Sequence, residues 1–319
     1  MGPVLFSIYT ADLYQVLRRH GVSVKMFADD TQFYMALNNV EEVETQLSVI
    51  MNDLKHWMNK RQLKLNENKT ECLVVGRKLD FERLNIRDFL VNDSVILLSD
   101  NVKDLGVILD NDLSLKNQII QTVNLAGYHL RNLAFVRKYL NEKAMKMLVH
   151  NHVISKLDYC NSLYYGLPNY LLRKLQLMMN RAARLIKGHT RRERITPTLI
   201  ELHWLPVKAR IVYKQCVMVY QALHFNAPSY VKDMLKEFHV STDIVLRHSN
   251  ELHRLAEPRF YREAGRRAFS NSAPRLYNKL PEHVKIAENL HIFKRKLKTF
   301  LFNDCYDLQN KIIKEEYSC

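Results

Sequence analysis

Two adjacent carboxylates, Asp29 and Asp30, are the residues of this sequence whose type and spacing best suit chemistry. They follow Phe27 and Ala28 between two short segments rich in β-branched and aromatic residues, which predicts a tight β-hairpin. Two carboxylates on a stiff turn repel each other, and Mg²⁺ relieves that repulsion because it prefers hard oxygen ligands. The pair is therefore a catalytic and metal-binding candidate for phosphoryl transfer. Asp is also a common turn residue, so these four residues alone favour an ordinary turn.

The elements that would hold this turn are predicted from hydrophobic spacing. Val22, Val24 and Met26 alternate with Ser23 and Lys25, which predicts a strand with one buried face. Apolar residues at helical spacing predict helices on both sides of the hairpin, and runs of β-branched residues predict strands after them. The predicted strands are 22–27, 31–36, 70–75 and 102–109 with a short hairpin in 79–100, and the predicted helices are 5–18 and 41–58.

Four segments resemble, in order and spacing, the palm motifs of reverse transcriptases, specifically those of non-LTR (LINE-type, jockey-like) retrotransposons. Residues 2–13, which begin Gly2-Pro3, are similar to the end of the template-contacting motif and the helix after it, and residues 27–30 to the metal-binding turn. Residues 63–70 resemble the next motif, and residues 105–110 resemble the primer-grip hairpin. The likeness continues to about Phe302 through helices rich in Leu, Arg and Lys.

The resemblance implies an RNA-directed DNA polymerase that transfers nucleotides by a two-metal mechanism. Asp29 and Asp30 would hold Mg²⁺, and Lys69 would protonate the leaving pyrophosphate as a general acid. From the residues alone, Lys69 is better interpreted as a loop lysine that binds phosphate or solvent. The implied partners are an RNA template and a DNA primer, or an RNA/DNA hybrid. The nucleic-acid contacts expected in the palm are Gly2, Pro3, Phe27 and Gly106.

One part of the family's pattern precedes the segment that Gly2-Pro3 resembles. It comprises the fingers, a strand that carries another catalytic Asp, and a template loop with Gln-Gly. We therefore expect a 5′-truncated copy, or a gene model begun at an internal Met. A two-metal site needs a third carboxylate, and Asp12, predicted on a helix, is a poor substitute. We expect the isolated chain to be inactive as a polymerase.

Charge divides the chain into two unlike halves. Residues 1–112 hold 13 Lys and Arg against 17 Asp and Glu, whereas residues 113–319 hold 35 against 16, within a total net charge of +15. A net charge of +19 over the second half exceeds what helix solvation requires, which favours a polyanion as its partner. The fold class we predict is α+β: a partial polymerase palm, an antiparallel hairpin sheet with helices, and then a mainly α-helical thumb and C-terminal region. The predicted domains are a partial palm at 1–112, a helical thumb or connection at 113–236 and a basic C-terminal module at 237–319.

Helical periodicity dominates the second half, with apolar stripes that face a core. A basic loop, residues 188–194, is the best candidate for phosphate contact because Arg forks match phosphate oxygens. In the C-terminal module, aromatic residues alternate with basic ones, and base stacking and a small terminal core are equally good interpretations. The predicted helices are 115–139, 142–159, 169–187 and 207–224, and the nucleic-acid candidates are Arg181, Arg184, Arg191, Arg192 and Arg194.

The remaining features bound the function class. Five scattered cysteines without a C-x-x-C pair predict a reducing compartment, cytoplasmic or nuclear, and argue against a zinc site. No apolar run is long enough to predict a membrane span or secretory signal, and nothing predicts an oligomeric state. Two alternatives to the polymerase remain: a non-catalytic, nucleic-acid-binding remnant, and a helical scaffold with a basic surface.

Overall fold

The computed structural model describes residues 2–66, 69–76, 88–91, 94–225, 227–236 and 254–306. The chain forms two compact units, Met1–Ser114 and Leu115–Cys319. The first combines helices with small antiparallel hairpins and the second is helical, so the predicted α+β class is confirmed. The predicted three-domain division stays a prediction. No helix among the described residues is both long enough and apolar enough to cross a membrane.

The described residues of the first unit form three β-hairpins and three α-helices. Each hairpin is a separate two-stranded antiparallel sheet: β1 pairs with β2, β3 with β4, and β5 with β6. The elements are α1 (Gly2–Tyr9), α2 (Leu13–Arg18), β1 (Ser23–Phe27), β2 (Asp30–Tyr34), α3 (Val40–Lys60), β3 (Asp88–Val91), β4 (Ser94–Leu97), β5 (Asn101–Asp104) and β6 (Val107–Asp110).

Helix α3 supplies most of the first unit's core. Its apolar stripe, from Val43 to Trp57, is buried against Leu13 and Leu17 of α2 and Val24 of β1. Asn39 caps the helix, because its side chain accepts a hydrogen bond from the amide of Glu41 at 3.1 Å. The stripe and the cap agree with the helix predicted from Glu41 to Met58, which confirms it.

Three predictions for the first unit need correction. The helix predicted over 5–18 is two helices, because the chain turns at Thr10–Asp12, where Ala11 and Leu13 donate to carbonyls only three residues back. The strand predicted over 70–75 is reduced to one parallel bridge between Cys72 and Leu98. The strand predicted over 102–109 is a hairpin, because Leu105 and Gly106 both have positive φ and reverse the chain.

The elements described in the second unit are helices, and the longest ones match the sequence predictions closely. Predicted helices 169–187 and 207–224 are observed with those bounds, and the predicted helix 142–159 is continuous through a π-helical segment at His150–Ile154. The α-helices are α4 (Lys116–Val136), α5 (Glu142–Val149), α6 (Ser155–Asp158), α7 (Asn169–Lys187), α8 (Ile195–Glu201), α9 (Val207–His224), α10 (Ser229–Asp233), α11 (Glu263–Arg267), α12 (Phe269–Asn278), α13 (Glu282–Lys285) and α14 (Leu290–Tyr306).

A core between α9, α12 and α14 organises the C-terminal part of the second unit. The rings of Tyr220 and Phe293 stack with centroids 4.0 Å apart, and Tyr277 and Cys216 are fully buried beside them. Burial raises the pKa of Cys216 to about 12 and also raises the pKa of Tyr277. Aromatic residues of the predicted C-terminal module such as Tyr277 and Phe293 therefore form a core.

Candidate metal turn and nucleic-acid surface

The turn that carries the two carboxylates is a two-residue hairpin connection. Strand register pairs Phe27 with Asp30, so Ala28 and Asp29 alone make the turn. Asp29 therefore lies at the tip as predicted, while Asp30 is the first residue of β2. Ala28 has φ of +54°, a conformation that is costly for a residue with a Cβ and that recurs at functional sites.

The two faces of this hairpin differ in chemistry. Val24 and Phe33 are paired across the strands and pack on the first unit's core. Side chains alternate along a strand, so Asp30 shares the opposite face with its partner Phe27. Phe27 is 66% exposed, and both Asp29 and Asp30 are exposed. The carboxylates therefore lie on an open surface beside an exposed aromatic ring.

A polar chain ties this face to the hairpin formed by β5 and β6. The Gln32 Nε2 donates to the Asp104 carboxylate, and the Tyr34 hydroxyl donates to Gln32 Oε1 at 2.8 Å. Burial, with a further contribution from the negative charge of Asp104, raises the pKa of Tyr34. Asp104 directly precedes the turn residues Leu105 and Gly106. The turn at Ala28 and Asp29, the candidate metal turn, and the turn that contains Gly106 thus belong to hairpins connected by a hydrogen bond.

Asp12, whose predicted position on a helix makes it a poor substitute for the third metal-binding carboxylate, is paired with Arg61. Its Oδ2 accepts from the Arg61 guanidinium, which also donates to the Tyr9 carbonyl at 3.2 Å and lies over the rings of Tyr9 and Trp57. The Tyr9 hydroxyl in turn donates to the Arg61 carbonyl at 2.6 Å. This clamp holds the turn between α1 and α2 against the end of α3, so Asp12 serves packing.

Three other predicted palm residues, Lys69, Gly2 and Pro3, lie on the surface. Lys69 is exposed, and its amide donates to the Asn66 carbonyl at 3.0 Å. Among the described residues, no hydrogen bond or ion pair links Lys69 to Asp29 or Asp30. Gly2 and Pro3 are the exposed first residues of α1. Asn68, in the same motif as Lys69, lies outside the described residues.

The turn fits a divalent cation in part. Asp29 and Asp30 offer adjacent, exposed carboxylate oxygens, the donors that Mg²⁺ prefers. Within the described ranges, no group of three or more His, Cys, Asp or Glu side chains could hold a metal ion. The pair can therefore contribute ligands to a metal ion but does not by itself make a closed site.

The basic loop of the second unit is held in a fixed shape by its one acidic residue. Glu193 Oε1 accepts from the amide and the hydroxyl of Thr190, at 2.7 and 2.9 Å. These hydrogen bonds, together with the nearby charges of His189 and Arg184, lower the pKa of Glu193. The carboxylate is thereby turned back onto the loop, and the guanidinium groups of Arg191 and Arg192 are exposed at its tip.

The arginines of the loop and of the preceding helix differ in their surroundings. Arg181 and Arg194 are exposed, whereas Arg184 is half-buried and donates to the Glu193 carbonyl at 3.2 Å. Lys187, at the end of the helix, is paired with Glu142 at 2.6 Å and also with Glu201. Arg181 and the arginines of the loop are thus accessible to solvent, while Arg184 supports the loop.

Two residues important to this surface escaped prediction. Arg137 donates to the carbonyls of Leu185 and Ile186, at 2.9 and 3.0 Å, and so closes the C-terminal end of α7. The charge pattern of the loop assigns Glu193 no role of its own. The Thr-x-x-Glu spacing of Thr190 and Glu193, which resembles a capping box, is the signal that would have identified its role.

Comparison with known proteins addresses the first unit. Residues 1–109 match the model of the family described as Reverse transcriptase (RNA-dependent DNA polymerase). No curated protein and no solved structure matches the chain. The matched residues include the metal turn, the Gly106 turn and the hydrogen bonds that connect their hairpins. Residues 1–109 of this chain are thus similar to the reverse transcriptase domain.

Proposed function

We propose that the chain is part of the RNA-directed DNA polymerase of a non-LTR, LINE-type retrotransposon. The observation that carries the proposal is the family match over residues 1–109 together with the exposed carboxylates at the hairpin tip. An acidic pair on an open surface suits a metal-dependent reaction on a polyanion, since bound cations would lower the repulsion between protein and phosphate.

In this proposal Asp29 and Asp30 supply oxygen ligands to Mg²⁺ in the complete polymerase. Bound there, the metal would stabilise the attacking and leaving oxygens of nucleotidyl transfer. The strained backbone of Ala28 and the cross-strand pairing of Phe27 with Asp30 would fix the direction of both carboxylates. Two carboxylates from one turn provide too few ligands for two ions, so we propose that the isolated chain does not polymerise.

The second unit, in the same proposal, binds the template and primer through phosphate contacts. Arg forks match phosphate oxygens in geometry and charge, and Arg191 and Arg192 lie exposed on a loop that Glu193 holds in shape. Because the loop is already held in one conformation before binding, it loses little conformational entropy on binding, which favours affinity.

Primer extension on an RNA template, with Mg²⁺ and dNTPs, tests the proposal. We expect no extension by the chain alone. We expect extension when a longer polypeptide that carries the family's upstream motifs is supplied with it, and loss of that extension in Asp29→Ala. Primer–template binding without extension under both conditions would instead support a non-catalytic nucleic-acid-binding remnant. Extension that persists in Asp29→Ala and Asp30→Ala would overturn the assigned metal turn.

A further inference from the structure

Helix α7 (Asn169–Lys187) separates two arginine clusters of the second unit, one at each of its ends. We propose that these clusters hold one polynucleotide at two points and that the exposed face of α7 runs beneath it. The proposal rests on the proposed function, because it assumes that the second unit binds nucleic acid. It adds the size of the ligand and a second anchor point.

The first cluster lies at the turn before α7. Gly166, with φ of +70°, lies so close to Arg267 that an added Cβ would stand 2.8 Å from its Cγ and 3.5 Å from Nη2 of Arg266. The Arg275 guanidinium reaches the same turn and donates from Nη2 to the Tyr165 hydroxyl at 3.0 Å. Two guanidinium groups, those of Arg266 and Arg275, and the aliphatic stem of Arg267 therefore lie close to this turn.

Within the described ranges, the Arg275 side chain of this cluster has no carboxylate partner. Arg266 is paired with Glu263, whose two oxygens accept from its Nε at 3.0 and 2.9 Å. Arg275 donates to a neutral hydroxyl, which accepts the bond without neutralising the charge. Its Nε is buried and has no hydrogen-bond partner among the described residues. A phosphate group at this turn would supply the missing negative charge, because phosphate oxygens bind Arg forks.

The second cluster is the basic loop at the other end of α7, where Arg191, Arg192 and Arg194 are exposed. Gly188, in the left-handed conformation, ends the helix and begins this loop. The two clusters are therefore separated by the full length of one rigid helix.

The surface between the clusters suits a polyanion. Helix α7 contains five basic residues and no acidic one in the sequence NYLLRKLQLMMNRAARLIK. Residues spaced by three and four positions share one helix face, and those on the solvent side are basic, aromatic or apolar. The exposed residues of this face are Tyr170, Arg173, Lys174, Leu177 and Arg181.

The length of α7 sets the size of the ligand. Its 19 residues rise about 1.5 Å each, which places the clusters about 28 Å apart along the helix axis. Successive base pairs are about 3.4 Å apart along B-form DNA and somewhat closer along an RNA/DNA hybrid, so at least about 8 base pairs span that distance. A shorter duplex can occupy only one cluster at a time. A longer duplex can occupy both clusters, so its overall affinity rises although the affinity of each cluster for phosphate is unchanged.

The test measures binding of the full chain to RNA/DNA hybrids of about 5 and about 12 base pairs by fluorescence anisotropy. We expect the longer hybrid to bind at least about tenfold more tightly. The double variant Arg267→Gln/Arg275→Gln should weaken binding of the longer hybrid about tenfold and that of the shorter one about twofold at most. Arg295→Gln, which removes an exposed charge on α14, is the matched control and should leave the length dependence intact.

Gly166→Ala tests the same cluster without removing any charge. The added Cβ displaces Arg267, so the variant should also lose the preference for the longer hybrid. Thermal unfolding identifies any variant that fails to fold, and the arginine pair then decides the outcome. If wild type binds neither hybrid at low salt, the proposed function itself fails. If wild type binds both equally, or the arginine variant keeps the length preference, the two-point inference is overturned.

Discussion

Gln32 donates a hydrogen bond from its side-chain amide to the carboxylate of Asp104, 72 positions later in the sequence. Gln32 lies on the strand that begins with Asp30, and Asp104 lies directly before the Leu105–Gly106 turn. The bond thus connects the strand that carries a predicted metal ligand to the hairpin that carries a predicted primer contact. Substitutions of Gln32 therefore test how much this bond contributes to the stability of the first unit.

Gln32→Glu should loosen this connection. The substitution replaces a donor by a second carboxylate opposite Asp104, so a hydrogen bond becomes a repulsion between like charges. We expect the free energy of unfolding of the first unit to fall by about 1–2 kcal/mol in urea titration. Gln32→Ala, which removes the bond without adding charge, should cost about 1 kcal/mol. Equal stability of Gln32→Glu and wild type would show that the bond does not hold the hairpins.

Arg61→Ala should destabilise the first unit through packing more than through charge. Arg61 lies over the rings of Tyr9 and Trp57 and also binds Asp12. Since the ion pair is partly exposed, solvent screens it, and we expect a total loss of about 1–2 kcal/mol. Arg61→Lys retains the charge and should recover only part of that loss in the same urea titration. Full recovery by Lys would contradict the role of the planar guanidinium.

Removal of charge from the basic loop should lower the affinity for nucleic acids of every base sequence by the same factor. Arg191→Gln/Arg192→Gln removes two exposed charges, so the slope of log K against log salt should fall in magnitude by about 1–2. The loss should be independent of base sequence, because phosphate contacts carry no sequence information. Arg295→Gln serves as the control for a general charge effect. A loss confined to certain base sequences would indicate base contacts in place of phosphate contacts.

Alkaline pH should destabilise the second unit. Burial raises the pKa of Cys216 to about 12, so the folded thiol stays neutral while the unfolded thiol ionises above about pH 8.5. The unfolded state then binds fewer protons, and stability falls as pH rises. Tyr277 adds to the fall, because burial raises its pKa as well.

Urea titrations between about pH 8.5 and pH 10.5 measure this slope. The Cys216 thiol contributes a loss of up to about 1.4 kcal/mol per pH unit. Cys216→Ala should be less stable than wild type at neutral pH and should show a shallower decline above pH 8.5. An unchanged decline in this variant would rule out the thiol as its source.

Helical periodicity predicted the long helices well because each buries a continuous stripe of its own residues. Helix α7 is observed over its predicted range, and its stripe from Leu171 to Ile186 is buried. The single predicted helix over 5–18 failed for a tertiary reason. Arg61, far away in the sequence, holds Asp12 and the Tyr9 carbonyl at the break between α1 and α2.

The candidate site also combines features that the local sequence determines with features that depend on long-range packing. The hairpin, its buried face and the exposure of Asp29 follow from local alternation and turn chemistry, so the sequence predicted them. The Gln32–Asp104 bond, the approach of Arg267 to Gly166 and the Arg275–Tyr165 bond join residues more than 70 positions apart. No local pattern encodes such pairs, because they depend on how separately folded segments pack. The basic loop was predicted in part: its charge is evident from the sequence, whereas the inward orientation of the Glu193 carboxylate is not.

Binding of Mn²⁺ to the metal turn, measured by paramagnetic broadening of backbone amide signals, tests the central claim most directly. Mn²⁺ accepts the same oxygen ligands as Mg²⁺, and its broadening decays steeply with distance. We predict that the amides of Ala28 to Thr31 broaden first, and that Asp29→Asn/Asp30→Asn abolishes this broadening while the fold is retained. Broadening centred elsewhere in the first unit, or unchanged in the double variant, would contradict a metal-binding role for the acidic pair.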